Sequence, residues 1–336
     1  MQIVRGFWAG VAIAFLVGCS AANLSQKTTT VANSNSTHSA MAQWEANLLG
    51  DLQDLNVTVN QLFAATSDAN PDHLRSPKTL EDAKNIVRSS HVAFFSEAEK
   101  IFETHMKKQA SDLNVLTWYA QLYLSWGQAL FDIEVYMEAA LGDSRLFLQL
   151  TTEKLVNSPG SVSDKFLSEY SVALAQLESE GQSKIDSLGV QCDLYLDKAL
   201  PLIERIEELS PDTYHRNRLM ADYYALVGEA QQFSNQLKMI ESKNPDSNGL
   251  RYMRGVQAAD EERWEAAIGW YEQALYHEPE FTEAEYARGF ALWQLGQKQA
   301  ALDSMYRILV VTPDHTLALL TKWMIATEDQ TEGAVQ

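Results

Sequence analysis

Thr282–His315 reads TEAEYARGFALWQLGQKQAALDSMYRILVVTPDH, and Asn248–Phe281 before it reads NGLRYMRGVQAADEERWEAAIGWYEQALYHEPEF. Laid one on the other, the two stretches match Tyr252 with Tyr286, Gly255 with Gly289, Ala267 with Ala301 and Pro279 with Pro313. Working outward, Pro211, Pro245, Pro279 and Pro313 each stand 34 residues after the last, in a chain with only eight prolines. A period of this length marks a small unit that buries its apolar face only by stacking on its neighbours. Each interval holds two apolar-periodic runs separated by a few polar or Gly positions, then a Pro-containing turn, so the unit is a helical hairpin.

The unit resembles the tetratricopeptide repeat, whose pattern has small residues at its eighth and twentieth positions and Pro at its thirty-second. Thr282–His315 supplies Gly289, Ala301 and Pro313 at those positions, with Leu292 and Gly296 between. Asn248–Phe281 supplies Gly255, Ala267, Tyr271, Ala274 and Pro279. Tyr214–Ser247 is a more degenerate copy, fitting at Ala221, Tyr224, Gly228 and Pro245 but carrying Phe233 where a small residue is expected. Small residues at a helix crossing let two backbones approach, and Pro ends a helix because it lacks an N–H and clashes one turn back.

At the other end of the chain, Arg5 precedes an almost uncharged run from Phe7 to Val17. About a dozen apolar residues fall short of the roughly 20 that a membrane span needs, and fit a signal-peptide core at 1–18. Leu16-Val17-Gly18-Cys19 then resembles the bacterial lipobox, which implies lipidation of Cys19 as the first mature residue. Ser20 follows where inner-membrane lipoproteins of many Gram-negative bacteria carry Asp, so the resemblance implies the outer membrane, facing the periplasm. Residues 19–40, rich in Ser, Thr, Asn and Ala, cannot bury enough surface to order themselves and read as a tether of roughly 25 Å typical reach.

From Met41 the chain turns helical. Leu48, Leu52, Leu55, Val59 and Leu62 form one apolar stripe, and a break follows at Ser67–Lys78, which holds Pro71 and Pro77. Thr79-Leu80-Glu81-Asp82 reads as a helix start, with the helix expected to reach Lys107. Asp112 opens another helix, and Asn157-Ser158-Pro159-Gly160-Ser161 is a turn. Phe166, Tyr170, Leu174 and Leu177 mark a helix expected to end near Gly181. Ile185, Leu188, Cys192, Leu196, Ala199, Ile203 and Ile206 mark the next, with a kink or restart at Pro201. The fixed period is absent up to Pro159, so residues 41–180 are either a bundle or diverged repeats. Residues 181–336 are the repeat array, with a terminal capping helix from Leu317 to Ala326. The expected fold is all-α, a helical-hairpin repeat solenoid preceded by longer irregular helices.

The formal net charge is −19, and losing Arg5 with the signal takes it to −20. Phosphate backbones require the opposite sign, so nucleic acid is not an expected partner. Acidic runs such as Glu278, Glu280, Glu283 and Glu285 read as solvated helix faces, and their functional reading is a preference for basic partners. With Cys19 lipidated, Cys192 has no intrachain partner and, on an apolar stripe, reads as a small core residue. There is no paired-His metal spacing, no Gly-rich phosphate loop before a helix and no Ser nucleophile framed by glycines. The seven histidines are scattered, and His277 and His315 fall in inter-unit turns where exposed polar residues are expected. No catalytic residue, metal site or cofactor is expected.

A hairpin solenoid offers a concave surface instead. In the family the second, fifth, ninth and twelfth positions of each first helix face inward and hold peptides or partner helices. Carried over by repeat phase, these are His215, Arg218, Asp222 and Ala225, then Gly249, Tyr252, Val256 and Ala259, then Glu283, Tyr286, Phe290 and Trp293. The resemblance thus implies a groove with aromatic anchors beside an acidic rim, and a protein or peptide partner in the periplasm. The alternative is a ligand-binding lipoprotein component of a solute transport system.

Overall fold

The computed structural model describes residues 77–90, 92–157, 164–211, 213–312, 315, 317–319, 321–322 and 325. The signal, Cys19, the tether, the stripe from Leu48 to Leu62, the turn at Ser158–Ser161 and Pro313 lie outside the described residues.

The 34-residue period is the period of the helices. First helices of the hairpins begin at Tyr214, Asn248 and Thr282: α5 (Tyr214–Leu226), α7 (Asn248–Asp260) and α9 (Thr282–Gln294). Second helices begin at Ala230, Trp264 and Lys298: α6 (Ala230–Lys243), α8 (Trp264–His277) and α10 (Lys298–Val311). Pro211, Pro245 and Pro279 sit in the turns between units. Thr213 and Ser247 cap α5 and α7 by accepting hydrogen bonds from the N–H groups of Arg216 and Leu250. The expected all-α helical-hairpin repeat solenoid is the observed architecture of this half.

Small residues stand where helices cross. A Cβ on Gly255 would run into the Tyr271 ring, and one on Gly289 into Met305 and the Cβ of Ser304. In the degenerate first unit, Ala221 occupies the crossing and is wholly buried while Phe233 fills the facing space. Each first helix ends on a residue with positive φ: Gly228 at 75°, Glu262 at 56° and Gly296 at 71°. The N–H groups that follow, of Glu229, Arg263 and Gln297, reach back to the carbonyls of Tyr224, Ala258 and Leu292. This closes each helix through a left-handed residue.

Before the array, residues 77–209 form helices of unequal length that share one core. Thr79 caps α1 (Leu80–Arg88) through a reciprocal pair. Its hydroxyl accepts from the Asp82 N–H at 3.1 Å, and Asp82 Oδ2 accepts from the Thr79 N–H at 2.9 Å. The helix expected to reach Lys107 is instead two, with α1 followed by a 3₁₀ turn at Val92–Phe94 and α2 (Phe95–Lys108). The Ser89 hydroxyl donates to the Asn85 carbonyl at 2.8 Å and Ser90 turns left-handed at φ 51°, so local side-chain bonding closes the first helix early.

Asp112 opens α3 (Leu113–Asn157) by accepting from the N–H groups of Asn114 and Val115. The end expected near Gly181 does not occur: α4 (Asp164–Leu209) runs through Gly181 and through Pro201. The boundary expected between residues 180 and 181 therefore falls inside a helix. Gly181 has a packing role, since a Cβ there would lie 3.1 Å from Leu141 Cδ1 of α3. Gly127 of α3 faces Cys192 and Leu196 of α4, and Gly181 of α4 faces Leu141, so the two long helices run antiparallel. Cys192 is buried as expected, its thiol donating to the Gly127 carbonyl at 3.4 Å. α2 joins the pair through Glu99, whose Oε1 accepts from the Tyr123 hydroxyl at 2.7 Å and from Lys198 Nζ at 2.9 Å. One apolar core extends from α1 through α3 and α4 into Leu219 and Met220 of α5 and includes Trp293 of α9. The fold thereby joins these helices and the repeats rather than leaving them as separate bodies.

Candidate functional site

Residues of the first helices come together where α3 crosses the repeats. Arg218 and Asp222 on α5, Tyr252 on α7 and Glu283 on α9 are each half-buried and act on one another through space. Arg218 Nε and Asp222 Oδ2 lie 4.0 Å apart, at the outer reach of an ion pair. Burial works against the Arg218 charge, but Asp222, Tyr214, Glu283 and Tyr252 outweigh it and hold the guanidinium more firmly protonated. Burial pushes the Asp222 carboxyl up to about 6 against the opposing pull of Arg218 and of a hydrogen bond from Gln121 of α3. Burial likewise pushes Glu283 up to about 7, with the charges of Asp222 and Glu278 adding to it. The Tyr252 hydroxyl is raised by burial and then by Glu283, Asp222 and Asp132.

Two of those groups belong to α3, which sequence phase alone did not bring to the groove. Gln121 hydrogen-bonds Asp222, and the charge of Asp132 acts on Tyr252, so α3 packs beside α5 of the first hairpin. Gln128 Nε2 donates to Asp132 Oδ1 at 2.7 Å, yet burial still pushes the Asp132 carboxyl up to about 7. The signal for these residues was present in the sequence, as Gln121, Ser125, Gln128 and Asp132 at spacings of four, three and four in an otherwise apolar stretch of the helix.

The remaining expected groove residues divide. His215 stays exposed at the rim, where surrounding bulk and then the Arg218 charge hold its imidazole below its ordinary value. Ala225 is half-buried in the groove, while Gly249, Val256 and Ala259 are buried. Gly249 is required by close approach, because a Cβ would strike the Tyr214 hydroxyl. Tyr252 also packs on Phe281, ring centroids 5.1 Å apart.

The aromatic anchors of the third unit turn toward the C-terminal segment. Tyr286 lies 6.1 Å from the His315 ring and its hydroxyl is 3.5 Å from Thr321 Oγ1. Trp293 is buried, with 8% of its surface exposed, against an edge-on Phe290 that also meets Trp264. Trp293 thus packs between units, while Tyr286 and Phe290 pack against the same core and each keep partial exposure. His315, expected as an exposed turn residue, is buried at 4% exposure. Its Nδ1 accepts from the Ala318 N–H at 3.2 Å, which caps the terminal helical residues 317–319. His277 is exposed as expected.

Among the described residues no group of His, Cys, Asp and Glu is placed to hold a metal ion, and no helix is long and apolar enough to cross a membrane.

No protein-family model matches the chain, and no curated protein matches it. Among solved structures the chain is similar to YrrB, a TPR protein with an unusual peptide-binding site. Identity is 15% over 67% of this chain and 98% of that one, with a TM-score of 0.31. It is also similar to TTC0263, a thermophilic TPR protein of Thermus thermophilus, at 20% identity over 64% of this chain and all of that one, TM-score 0.31. Yeast Tom70 matches over 90% of this chain and 69% of its own, at 12% identity and a TM-score of 0.34.

Proposed function

We propose that the protein is a non-catalytic scaffold, tethered by a lipid on Cys19 to the outer membrane and facing the periplasm, that binds a protein or peptide partner through the inner face of its repeats. The observation that carries this reading is the cleft itself. Arg218, Asp222, Tyr252 and Glu283 come from three different hairpins, act on one another and keep partial access to solvent. Converging polar groups beside aromatic rings suit orientation and capture of a ligand. The anchor rests on the signal-like core that ends in Leu16-Val17-Gly18-Cys19.

A second reading is a solute-binding component of a transport system, favoured by the half-burial of the polar groups of Arg218, Asp222 and Glu283 beside Tyr252. Capture of the full-length protein from its own membranes, followed by mass spectrometry, separates the two. A stoichiometric protein partner supports the scaffold, and a co-purified small molecule supports the receptor. Cys19→Ala tests the tether, since it should abolish lipid labelling and release the protein from membranes or stall its processing. A variant that is processed and fractionates with membranes as the wild type does would contradict it.

A further inference from the structure

Thr213, Ser247, Phe281 and His315 occupy one position of the repeat, each 34 residues after the last, ahead of α5, α7, α9 and the terminal helical residues. Three of the four are caps of one kind. The Thr213 hydroxyl accepts from the Arg216 N–H at 3.4 Å and the Ser247 hydroxyl from the Leu250 N–H at 3.3 Å. His315 Nδ1 accepts from the Ala318 N–H at 3.2 Å, again three residues on. The backbone agrees: the N–H groups of Asn217, Arg251 and Leu319 reach the carbonyls of Thr213, Ser247 and His315. The terminal residues are thus the start of a further first helix, and its cap is a histidine where two earlier units use a hydroxyl.

A hydroxyl cap does not titrate, but an imidazole does so between about pH 5 and pH 8. A neutral ring keeps one nitrogen as acceptor, whereas an imidazolium carries a proton on both. Protonating His315 therefore removes the acceptor of the Ala318 N–H and sets a positive charge against the positive end of the helix dipole. It also places that charge on a residue that is 4% exposed. Toward the ring α9 presents Tyr286, centroids 6.1 Å apart, and α10 presents Met305 and Ile308, which pack with Ala318. The terminal helix itself carries Lys322, whose ammonium lies over the Tyr306 ring of α10. Glu285 of α9 is engaged by Arg288 and Arg307, and Asp314 lies outside the described residues. The capped helix covers apolar surface, since Leu317 and Ile325 join the main core, and Thr321 Oγ1 lies 3.5 Å from the Tyr286 hydroxyl.

We propose that His315 is a pH-sensitive latch: neutral, it holds the terminal helix on the third unit, and protonated, it releases that helix and uncovers Tyr286, Met305 and Ile308. The sign follows from which form can cap. The seated helix requires the neutral ring and the released segment accepts a proton freely, so release takes up a proton and is favoured as pH falls.

The test is hydrogen exchange of the full-length protein in detergent at about pH 7.5 and about pH 5, corrected for the intrinsic rate at each pH. Local exchange is the readout because the raised carboxyls of Asp222 and Glu283 move global melting the other way. Protection of residues 315–325 should fall about tenfold at the lower pH, while Asn248–Asp260, capped by Ser247, keeps its own and serves as the reference. His315→Asn and His315→Ser supply cap acceptors that do not titrate, and should hold the terminal helix at both pH values. Unchanged protection of the wild-type segment relative to the reference overturns the proposal. So does a pH-dependent loss that persists in both variants, which would assign it to another group. Loss of protection at both pH values in both variants would show that ring packing rather than capping holds the segment, and overturns the proposal as well.

Discussion

At the scale of single residues, Glu262 departs from its equivalents. The left-handed position that ends each first helix is Gly228 in one unit and Gly296 in another, but Glu262 in the unit between them. A side chain in that region costs about 1–2 kcal/mol, offset in part by the greater freedom Gly has when unfolded. Glu262→Gly should therefore stabilise the fold by about 0.5–1 kcal/mol, seen as a rise of about 1–3 °C in melting temperature. A fall would show that the Glu262 side chain makes a compensating contact. Sequence phase marks this position but carries no sign of its backbone angle, because nothing in a Glu announces a positive φ.

Also at this scale, carboxyls raised by burial make stability depend on pH in an uncommon direction. Asp132, Asp222 and Glu283, with Asp260 also raised to about 7 by burial and Glu261, hold protons more tightly folded than unfolded. Between about pH 4 and pH 7 the native state then binds more protons than the unfolded chain, so their contribution weakens as pH rises. It is fully present below the unfolded values near 4 and lost as pH passes the folded ones. Melting temperature should be higher at about pH 5.5 than at about pH 8, and Asp132→Asn combined with Asp222→Asn should flatten the difference. Equal or greater stability at the higher pH in the wild type would contradict the protonation assigned to these carboxyls.

At the scale of elements, the helix starts of the array were legible because each depends on local chemistry. A Pro turn, a Thr or Ser cap and a small crossing residue recur in every unit or nearly so, and neighbouring units share one packing problem. Gly289→Leu tests that problem. A Cβ alone would collide with Met305 and Ser304, so the longer side chain should force α9 and α10 apart at about 1–3 kcal/mol, toward the upper end. An unchanged melting curve would refute the crossing. The long helices were less legible, since Gly181 and the Ser89-Ser90 pair look alike as breakers. Gly181 is held helical by Leu141, which packs on it from another helix, whereas Ser90 turns out of the helix through local bonding. Only tertiary packing distinguishes them.

At the scale of the whole molecule, the repeat array carries the inner-face positions and α3 packs beside its first unit. Repeat phase placed Arg218, Asp222, Tyr252 and Glu283 on the inner face, and the structure brings these four together. It could not place Gln121 beside Asp222, because that pairing spans about a hundred residues and leaves no local pattern shared by the two helices. Nor could it distinguish an aromatic that faces the groove from one that packs against the next unit. Trp293 is of the second kind, held by Phe290, while Tyr286 meets His315 and Thr321 and keeps partial exposure.

The most direct test of partner binding through the inner face is site-specific photo-crosslinking in intact cells. p-Benzoyl-phenylalanine replaces Phe290, half-buried at an inner-face position of the repeat phase, or Tyr276, 82% exposed on the second helix of the middle unit. The two positions carry an aromatic of similar size and lie within neighbouring hairpins, so folding and membrane location are matched. A partner adduct from Phe290 and none from Tyr276 is the result this account predicts. An adduct from Tyr276 with none from Phe290 would place the partner on the outer face and contradict it.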